Sequence, residues 1–311
     1  MAKMRLGLII DPEFHMLGRS VCALTPPFIE ALCRRFDTRL LWDQRRYDAL
    51  CWEVDFIYYF HPTFAAPMIR LARAGRLRRS LPPGPIFWGL SDPHLQPWRE
   101  AAILDQGVDF VLAYYRRPTL HHFGRLPPEK VIFFPWAVPD PWIDTGPIRY
   151  HGQRELMIFG AAQGEAYTVR NWCRRQPGVR SYEMSGVENK VMDDRRFFEW
   201  LQGFDAVIAA GSESPAYRLT TPKYYETAAA GSLLVAQTTD DLAEAGFADG
   251  LNCLVFSQAD FHEKVRPWRE APDDPRWLEI RRAGRELIRE RHSLSRRLDE
   301  LEGYVRAWPG R

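Results

Sequence analysis

The sequence predicts an α/β protein with two domains, each built on a parallel sheet. Short, nearly continuous apolar runs alternate with helix-like segments, which is typical of strands that are covered by helices on both faces. The chain has 311 residues, above the size at which a single hydrophobic core usually keeps growing. Between Phe134 and Leu156 it holds four prolines and two glycines, the strongest linker signal in the sequence. We therefore expect two Rossmann-like domains, residues 1–145 and 146–311, facing each other across a cleft.

The apolar runs define the predicted strands, six before the linker and five after it. The first six are Arg5–Ile10, Arg39–Trp42, Asp55–Phe60, Ile86–Leu90, Asp109–Tyr114 and Val131–Phe134. The other five are Leu156–Phe159, Ser181–Met184, Ala206–Ala209, Leu233–Ala236 and Cys253–Phe256. Helix-like segments include Pro27–Arg35, Pro67–Arg79, Arg195–Gln202 and Pro275–Arg291. Apolar residues spaced three and four apart predict a final amphipathic helix from Leu294 to Trp308.

The composition excludes several classes of protein. Apolar residues make up 46%, charged residues 26%, and the net charge is +2, so nothing favours a nucleic-acid partner. Five scattered cysteines lack zinc-like spacing and favour a reducing compartment. The N-terminal apolar run is read as a strand, and no run approaches the ~18 apolar residues of a membrane span. We predict a cytoplasmic protein, and peripheral contact with a membrane is left open.

The absence of several sequence motifs argues against particular classes of enzyme. The chain contains no G-x-x-x-x-G-K-[ST], no G-x-G-x-x-G after the first strand and no G-x-S-x-G. These absences disfavour a P-loop NTPase, a dinucleotide-dependent dehydrogenase and an α/β-hydrolase. We expect neither a metal ion nor a cofactor.

The segment "TPKYYETAAAGSLLVAQTTDDL" carries the strongest signal of a binding site. Thr221 before Pro222 predicts the start of a helix, and Gly231 predicts its end. Lys223 and Glu226 are three residues apart and share a face of that helix. Its free N–H groups and dipole favour an anion, to which Lys223 adds a positive charge, while Glu226 can accept hydrogen bonds from hydroxyls. The spacing alone leaves an ordinary surface pair as the alternative.

The same segment resembles the nucleotide-sugar-binding region of GT-B glycosyltransferases, which often reads K-x-x-E-x-x-A-x-G before an apolar strand. The matching residues here are Lys223, Glu226, Ala229 and Gly231, and "TTDDLAEAGFADGLNCLVF" resembles the continuation. Four further segments resemble the CgeB-like, spore-maturation type branch. They read "WGLSDPHL", "VDFVLAYYRRPTLHHFGRLPPEKVIFFPWAVPDP", "LMIFGAAQGEAYTVRNW" and "GRELIRERHSLSRRLDEL".

This resemblance implies a metal-independent glycosyltransferase, which moves a sugar from a nucleotide-sugar donor to the hydroxyl of an unknown acceptor. It implies that Glu226 binds the ribose and that Arg170 and Lys223 contact the diphosphate. Backbone N–H groups near Thr220 and Thr221 would assist. The donor would bind mostly to the C-terminal domain and the acceptor mostly to the N-terminal one.

The sequence departs from the pattern of many retaining members at Arg218. Those members carry an acidic residue eight positions before the glutamate. An arginine there could add a third cation that binds phosphate through two hydrogen bonds. The position therefore leaves open whether the sugar is transferred with retention or inversion.

Candidate acceptor-side residues follow strands of the N-terminal domain. Asp92 and His94 could act as the base for the acceptor or as ligands of its sugar, and these two are the predicted catalytic residues. The alternative is a capping aspartate and a solvent-facing histidine. His61 follows another strand, and His15 and Gly18 lie in the loop after the first, where a glycine allows close approach of the backbone.

Two other functions are kept open. One is an epimerase or hydrolase of sugar nucleotides with the same fold. The other is a non-catalytic scaffold or binding protein, since 311 residues are few for two such domains and a partner protein could complete the site.

Overall fold

The computed structural model describes residues 3–10, 22–61, 83–95, 97–143, 146–182 and 194–310. Within these ranges the protein has two sheets, both entirely parallel, and the predicted α/β class is confirmed. Contacts divide the chain into two compact units. Unit 1 comprises Met1–Ser20, Thr25–Pro135 and Arg297–Arg311; unit 2 comprises Val21–Leu24 and Trp136–Arg296. The predicted domain boundary after residue 145 stays a prediction. The contacts place the boundary between the units ten residues earlier, after Pro135, and they group Arg297–Arg311 with unit 1.

Unit 1 contains a six-stranded sheet in the order β2-β1-β3-β4-β5-β6. Its strands are β1 Arg5–Ile9, β2 Asp37–Leu40, β3 Phe56–His61, β4 Ile86–Leu90, β5 Phe110–Ala113 and β6 Val131–Phe133. Its α-helices are α1 Thr25–Arg35, α2 Gln44–Leu50, α3 Arg99–Asp105 and α4 Arg116–His122, with short 3-10 turns at Pro93–Leu95 and Pro128–Lys130. The predicted helix Pro67–Arg79 lies outside the described residues.

The central strand β4 carries the acceptor-side candidates at its carboxyl end. All five of its residues are buried, as expected of a strand between two layers of helices. The rings of Trp88 on β4 and Tyr59 on β3 pack edge to face, with their centroids 4.1 Å apart. This aromatic core fixes the position at which Ser91 and Asp92 leave the sheet.

Unit 2 contains a five-stranded sheet in the order β11-β10-β9-β7-β8. Its strands are β7 Leu156–Ile158, β8 Val179–Ser181, β9 Ala206–Ala209, β10 Leu233–Gln237 and β11 Leu254–Phe256. Its α-helices are α5 Asp140–Ile143, α6 Thr168–Cys173, α7 Asp194–Gln202, α8 Pro222–Ala230, α9 Phe261–Glu270 and α10 Pro275–Arg291, with a 3-10 turn at Glu165–Tyr167. The last helix, α11, spans Leu294–Ala307 and belongs to unit 1 from Arg297 onward.

Strand β8 shows the largest shift from its predicted position. The apolar pattern predicts Ser181–Met184, of which residues 183 and 184 lie outside the described residues, whereas the strand covers Val179–Ser181. Its pairing with β7 brings Leu156 opposite Val179, so hydrogen bonding to the neighbouring strand decides the register rather than the local pattern.

Helix α8 is held at its C-terminal end by two arginines of α10. The helix ends at Gly231, whose φ of +77° belongs to the left-handed region that favours glycine. Arg285 donates to the carbonyl of Ala230 at 3.0 Å, and Arg281 donates to that of Gly231 at 2.6 Å. Arg281 also pairs with buried Asp205 at 3.2 Å. Two cations therefore satisfy the last carbonyls and complement the negative end of the helix dipole.

Candidate functional site

Two cationic side chains of unit 2 meet beside Gly160, just after β7. Gly160 has a φ of +100°. A methyl group placed on it would lie 2.8 Å from Nζ of Lys223 and 3.3 Å from Nη1 of Arg170. The backbone conformation therefore favours glycine, and a methyl group here would displace the end of the Lys223 side chain. The absence of a side chain lets two positive charges lie at one point near the carboxyl end of the sheet.

Lys223 occupies the first turn of α8, which begins at Pro222. Its Nζ lies 4.8 Å from the centroid of the Phe159 ring, a favourable cation–π distance. The N–H groups of a first turn attract anions, and the ammonium adds a formal charge to their partial charges. This end of α8 is therefore suited to an anionic ligand.

The two threonines before α8 have different surroundings. Thr221 occupies the N-cap position with an extended backbone, as predicted, but its hydroxyl does not make the capping hydrogen bond expected of a threonine there. The N–H of Tyr224 donates instead to the carbonyl of Thr221 at 3.1 Å. The Thr221 hydroxyl is buried and has no hydrogen-bond partner among the described residues. The hydroxyl of Thr220 lies 2.5 Å from that of Thr239 and is engaged within the protein.

Glu226 lies about one turn beyond Lys223 and is only 3% exposed. The spacing of three residues places both side chains on one face of α8, as the sequence predicts. A carboxylate at this depth needs hydrogen-bond donors around it.

The loop after β7 is held by side chains of α6. Arg170, Asn171 and Arg174 each donate to one of three consecutive carbonyls in the loop 160–162, at 3.0 Å for Arg170 and 2.6 Å for Asn171. The N–H of a trans peptide points opposite to its carbonyl, so the amides of 161–163 are directed away from α6. Successive amides that point to one side form a concave site for an anion.

Arg170 links this loop to the loop after β9. It is 2% exposed, and its Nε donates to the carbonyl of Ala210 at 2.8 Å. Its guanidinium lies 4.4 Å from the centroid of the Tyr167 ring. Sequence reasoning identified Arg170 but missed Asn171 and Arg174, because their role depends on a loop that folds back over α6.

Arg218 is engaged in a different set of contacts. Its Nη1 pairs with Asp240 at 3.0 Å, and Nε and Nη2 both donate to the carbonyl of Glu213. Its positive charge is therefore paired with a neighbouring carboxylate, and its role as a third phosphate-binding cation stays a prediction.

In unit 1, Asp92 has an unusual backbone and an unusual pKa. Apart from glycines, it is the sole described residue with a positive φ, at +48°. Burial raises the pKa of its carboxyl to about 6, while a hydrogen bond with Ser91 and the charge of Arg99 act in the opposite direction. Backbone strain and a shifted pKa both occur preferentially at functional sites.

His94 and Arg99 complete a cluster of titratable groups around Asp92. Burial, together with the charge of His122, lowers the pKa of His94 to about 4, so this imidazole is neutral at pH 7. The ring centroids of His94 and His122 are 6.3 Å apart. Arg99 is fully buried, and burial lowers its pKa to about 9. Sequence reasoning missed Arg99, which no local motif distinguishes from other helix residues.

The other sequence candidates give less information. His61 is the last residue of β3, where its backbone pairs with Leu90 of β4. His15 and Gly18 lie outside the described residues. The described part of the chain contains no group of three or more histidine, cysteine or acidic side chains that could hold a metal ion. It also contains no helix with both the length and the apolar character needed to cross a membrane.

Comparisons with known proteins agree with this architecture. Residues 147–303 match the family model described as "Glycosyl transferase-like". The Anabaena protein Alr3699/HepE in complex with UDP-glucose superposes with a TM-score of 0.60 at 10% identity, over 98% of this chain and 100% of that one. Its complex with UDP and glucose gives a TM-score of 0.57 at the same identity and coverage.

A glycosyltransferase from Rickettsia africae ESF-5 gives a TM-score of 0.51 at 9% identity, over 98% of each chain. Among curated protein sequences, none matches the chain. Likeness at such low identity concerns the fold alone, and it confirms the predicted GT-B class. The family match covers the segment from just before β7 into α11, which includes every residue around Gly160 described above.

Proposed function

Since the chain belongs to the glycosyl transferase-like family, we propose that it transfers a sugar from a nucleoside diphosphate sugar to an acceptor hydroxyl. The family match confirms the predicted class of enzyme, a glycosyltransferase. We propose the identity of the donor, the kind of acceptor and the roles of the individual residues.

The observation that carries the proposal is the meeting of Lys223 and Arg170 beside Gly160. When a glycosidic bond to a nucleoside diphosphate breaks, negative charge grows on the departing phosphate. Fixed cations and helix N–H groups that stabilise this charge lower the barrier without a metal ion. Lys223, the first turn of α8 and the amides of 161–163 are the groups we assign to the diphosphate. Arg170 contributes its charge from within the protein, where it also holds the loop.

We assign the ribose to Glu226 and Thr221. A buried carboxylate accepts hydrogen bonds from vicinal hydroxyls, and Glu226 lies on the same face of α8 as Lys223. The buried hydroxyl of Thr221 gains a hydrogen-bond partner when a polar ligand binds at the start of the helix.

On unit 1, we assign Asp92 as the base that takes the proton of the acceptor hydroxyl. A pKa of about 6 leaves most of this carboxyl ionised at neutral pH while keeping it more basic than an ordinary aspartate. His94, neutral at this pH, is assigned to hydrogen bonding with the acceptor.

The test is a thermal-unfolding experiment with UDP, GDP, dTDP, ADP and CMP. UDP is the first candidate, because the Anabaena structures contain UDP or UDP-glucose. A ligand at 100 times its dissociation constant stabilises the folded state by about 2.7 kcal/mol. We expect one nucleotide to raise the unfolding temperature of the wild type and to have little effect on Lys223→Ala and Glu226→Ala.

Lys264→Ala is the matched control, because Lys264 is a half-exposed lysine of the same unit that pairs with Asp249. This variant should respond to the nucleotide as the wild type does. If no nucleotide stabilises the wild type, or if Lys223→Ala responds fully, the donor site is assigned wrongly. Consumption of the nucleotide sugar without any acceptor would instead indicate the epimerase or hydrolase alternative. Nucleotide binding without turnover would indicate the scaffold. Membership of the CgeB-like branch and a cytoplasmic location stay part of the proposal.

A further inference from the structure

Two large apolar side chains are exposed in the segment after β4 that also carries Asp92 and His94. Leu95 is 46% exposed and Trp98 is 51% exposed. The N–H of Leu95 donates to the carbonyl of Asp92 at 3.0 Å, so this short turn is directly connected to the strained aspartate. Exposed apolar groups next to a cluster of polar, titratable side chains are typical of a ligand-binding surface.

Trp98 is fixed from one side by Arg99. The guanidinium carbon of Arg99 lies 5.3 Å from the centroid of the indole, over its face. Arg99 itself is fully buried, so the exposed half of Trp98 is the opposite face and the ring edge. The ring is thus a supported aromatic surface that points to solvent, with little conformational freedom to lose when a ligand binds.

We propose that Trp98 is the stacking surface for a saccharide acceptor, one of whose hydroxyls is delivered to Asp92 and His94. A pyranose ring has an apolar C–H face that packs against an aromatic ring and hydroxyls around its edge that need polar partners. The segment from Asp92 to Trp98 offers one supported indole together with a carboxylate and an imidazole, which matches this combination. An acyl or polyprenyl chain requires a longer continuous apolar surface than two side chains provide. That the saccharide serves as the acceptor rests on the proposed function, whereas the binding of a saccharide to Trp98 does not depend on it.

The experiment measures saturation-transfer NMR on four methyl glycosides (α- and β-glucoside, β-galactoside and β-N-acetylglucosaminide) and on octyl β-glucoside. UDP is present in each sample as a reference ligand. The variants are Trp98→Ala and Trp98→Phe. Trp52→Ala is the matched control, since Trp52 is a 55% exposed tryptophan elsewhere in unit 1.

We expect at least one methyl glycoside to receive saturation at its ring C–H protons in the wild type and in Trp52→Ala. Affinity should fall about tenfold in Trp98→Ala, with partial retention in Trp98→Phe. The UDP signal should be the same in all four proteins, which shows that the variants are folded.

Three results overturn the proposal. They are an absence of saturation on every glycoside in the wild type, full retention of the signal in Trp98→Ala, and saturation of the octyl chain alone, which would indicate a lipid. Loss of the UDP signal from the wild type, with the glycoside signals intact, would instead refute the donor assignment and leave Trp98 as a saccharide site.

Discussion

Replacement of Asp92 by asparagine should stabilise the protein in a pH-dependent way. The folded state holds the pKa of this carboxyl at about 6, against an ordinary value of 3.8. Below about pH 3 the carboxyl is protonated in both the folded and the unfolded chain, and asparagine is nearly equivalent to it. As the pH rises through 6, the wild type must ionise a carboxyl whose charged form the fold disfavours. At 1.36 kcal/mol per pKa unit, this costs the folded state roughly 3 kcal/mol.

His94 changes stability in the opposite direction over much of the same range. Its pKa is lowered to about 4 from 6.5, so the unfolded chain binds more protons and stability increases as the pH rises. In the wild type the two effects largely cancel, so the free energy of unfolding of the wild type alone should change little with pH. The difference between Asp92→Asn and the wild type isolates the aspartate, whose raised pKa already reflects the opposing attraction of Arg99.

The assay is urea unfolding of both proteins at several pH values between about 4 and 7, followed by tryptophan fluorescence. We expect the variant to gain roughly 3 kcal/mol relative to the wild type across this range, while transfer activity falls. Asp105→Asn, at an exposed carboxyl in the same unit, is the control. A stability difference that does not change with pH would refute the account of Asp92 as a buried carboxyl with a raised pKa.

Three further predictions concern unit 2. Gly160→Ala should strain the backbone at a φ of +100° and displace Lys223, whose Cε lies 2.5 Å from the added methyl, so nucleotide affinity measured by calorimetry should drop. Unchanged affinity would contradict the assigned site. Arg281→Ala should destabilise the protein by about 3–5 kcal/mol in urea unfolding, because Asp205 loses its buried partner. A loss below 1 kcal/mol would show that Asp205 is satisfied by backbone amides alone. Gly231→Ala should lower the unfolding temperature, since its methyl would lie 2.9 Å from Arg285 Cζ; an unchanged temperature would contradict this packing.

The elements that the sequence predicts well are those whose signals are local. Helix α8 begins and ends where Pro222 and Gly231 indicate, because a proline in the first turn and a left-handed glycine act on the backbone itself. The shared face of Lys223 and Glu226 follows from helical spacing alone. Strand β8 was misplaced because its register is decided by pairing with another strand.

The parts of the site that escaped prediction depend on contacts between distant segments. Gly160 carries no motif of its own, and its importance appears only when α6 and α8 bring two cations to it. The missing side-chain cap at Thr221 accompanies a local hydrogen bond, in which the Tyr224 amide donates to the backbone carbonyl of Thr221 itself. The ion pair of Arg218 depends on a carboxylate further along the chain, that of Asp240.

The arginine contacts at the far end of α8 have a consequence for ligand binding. Arg281 and Arg285 anchor the helix from behind, so its first turn is oriented before any nucleotide arrives. The entropy of ordering this turn is lost during folding and need not be lost again on association. Substitutions of these α10 arginines should therefore weaken nucleotide binding, although neither side chain is assigned to the ligand, because α8 can then rotate or shift. The affinity for the nucleotide and the stability of unit 2 should decrease together.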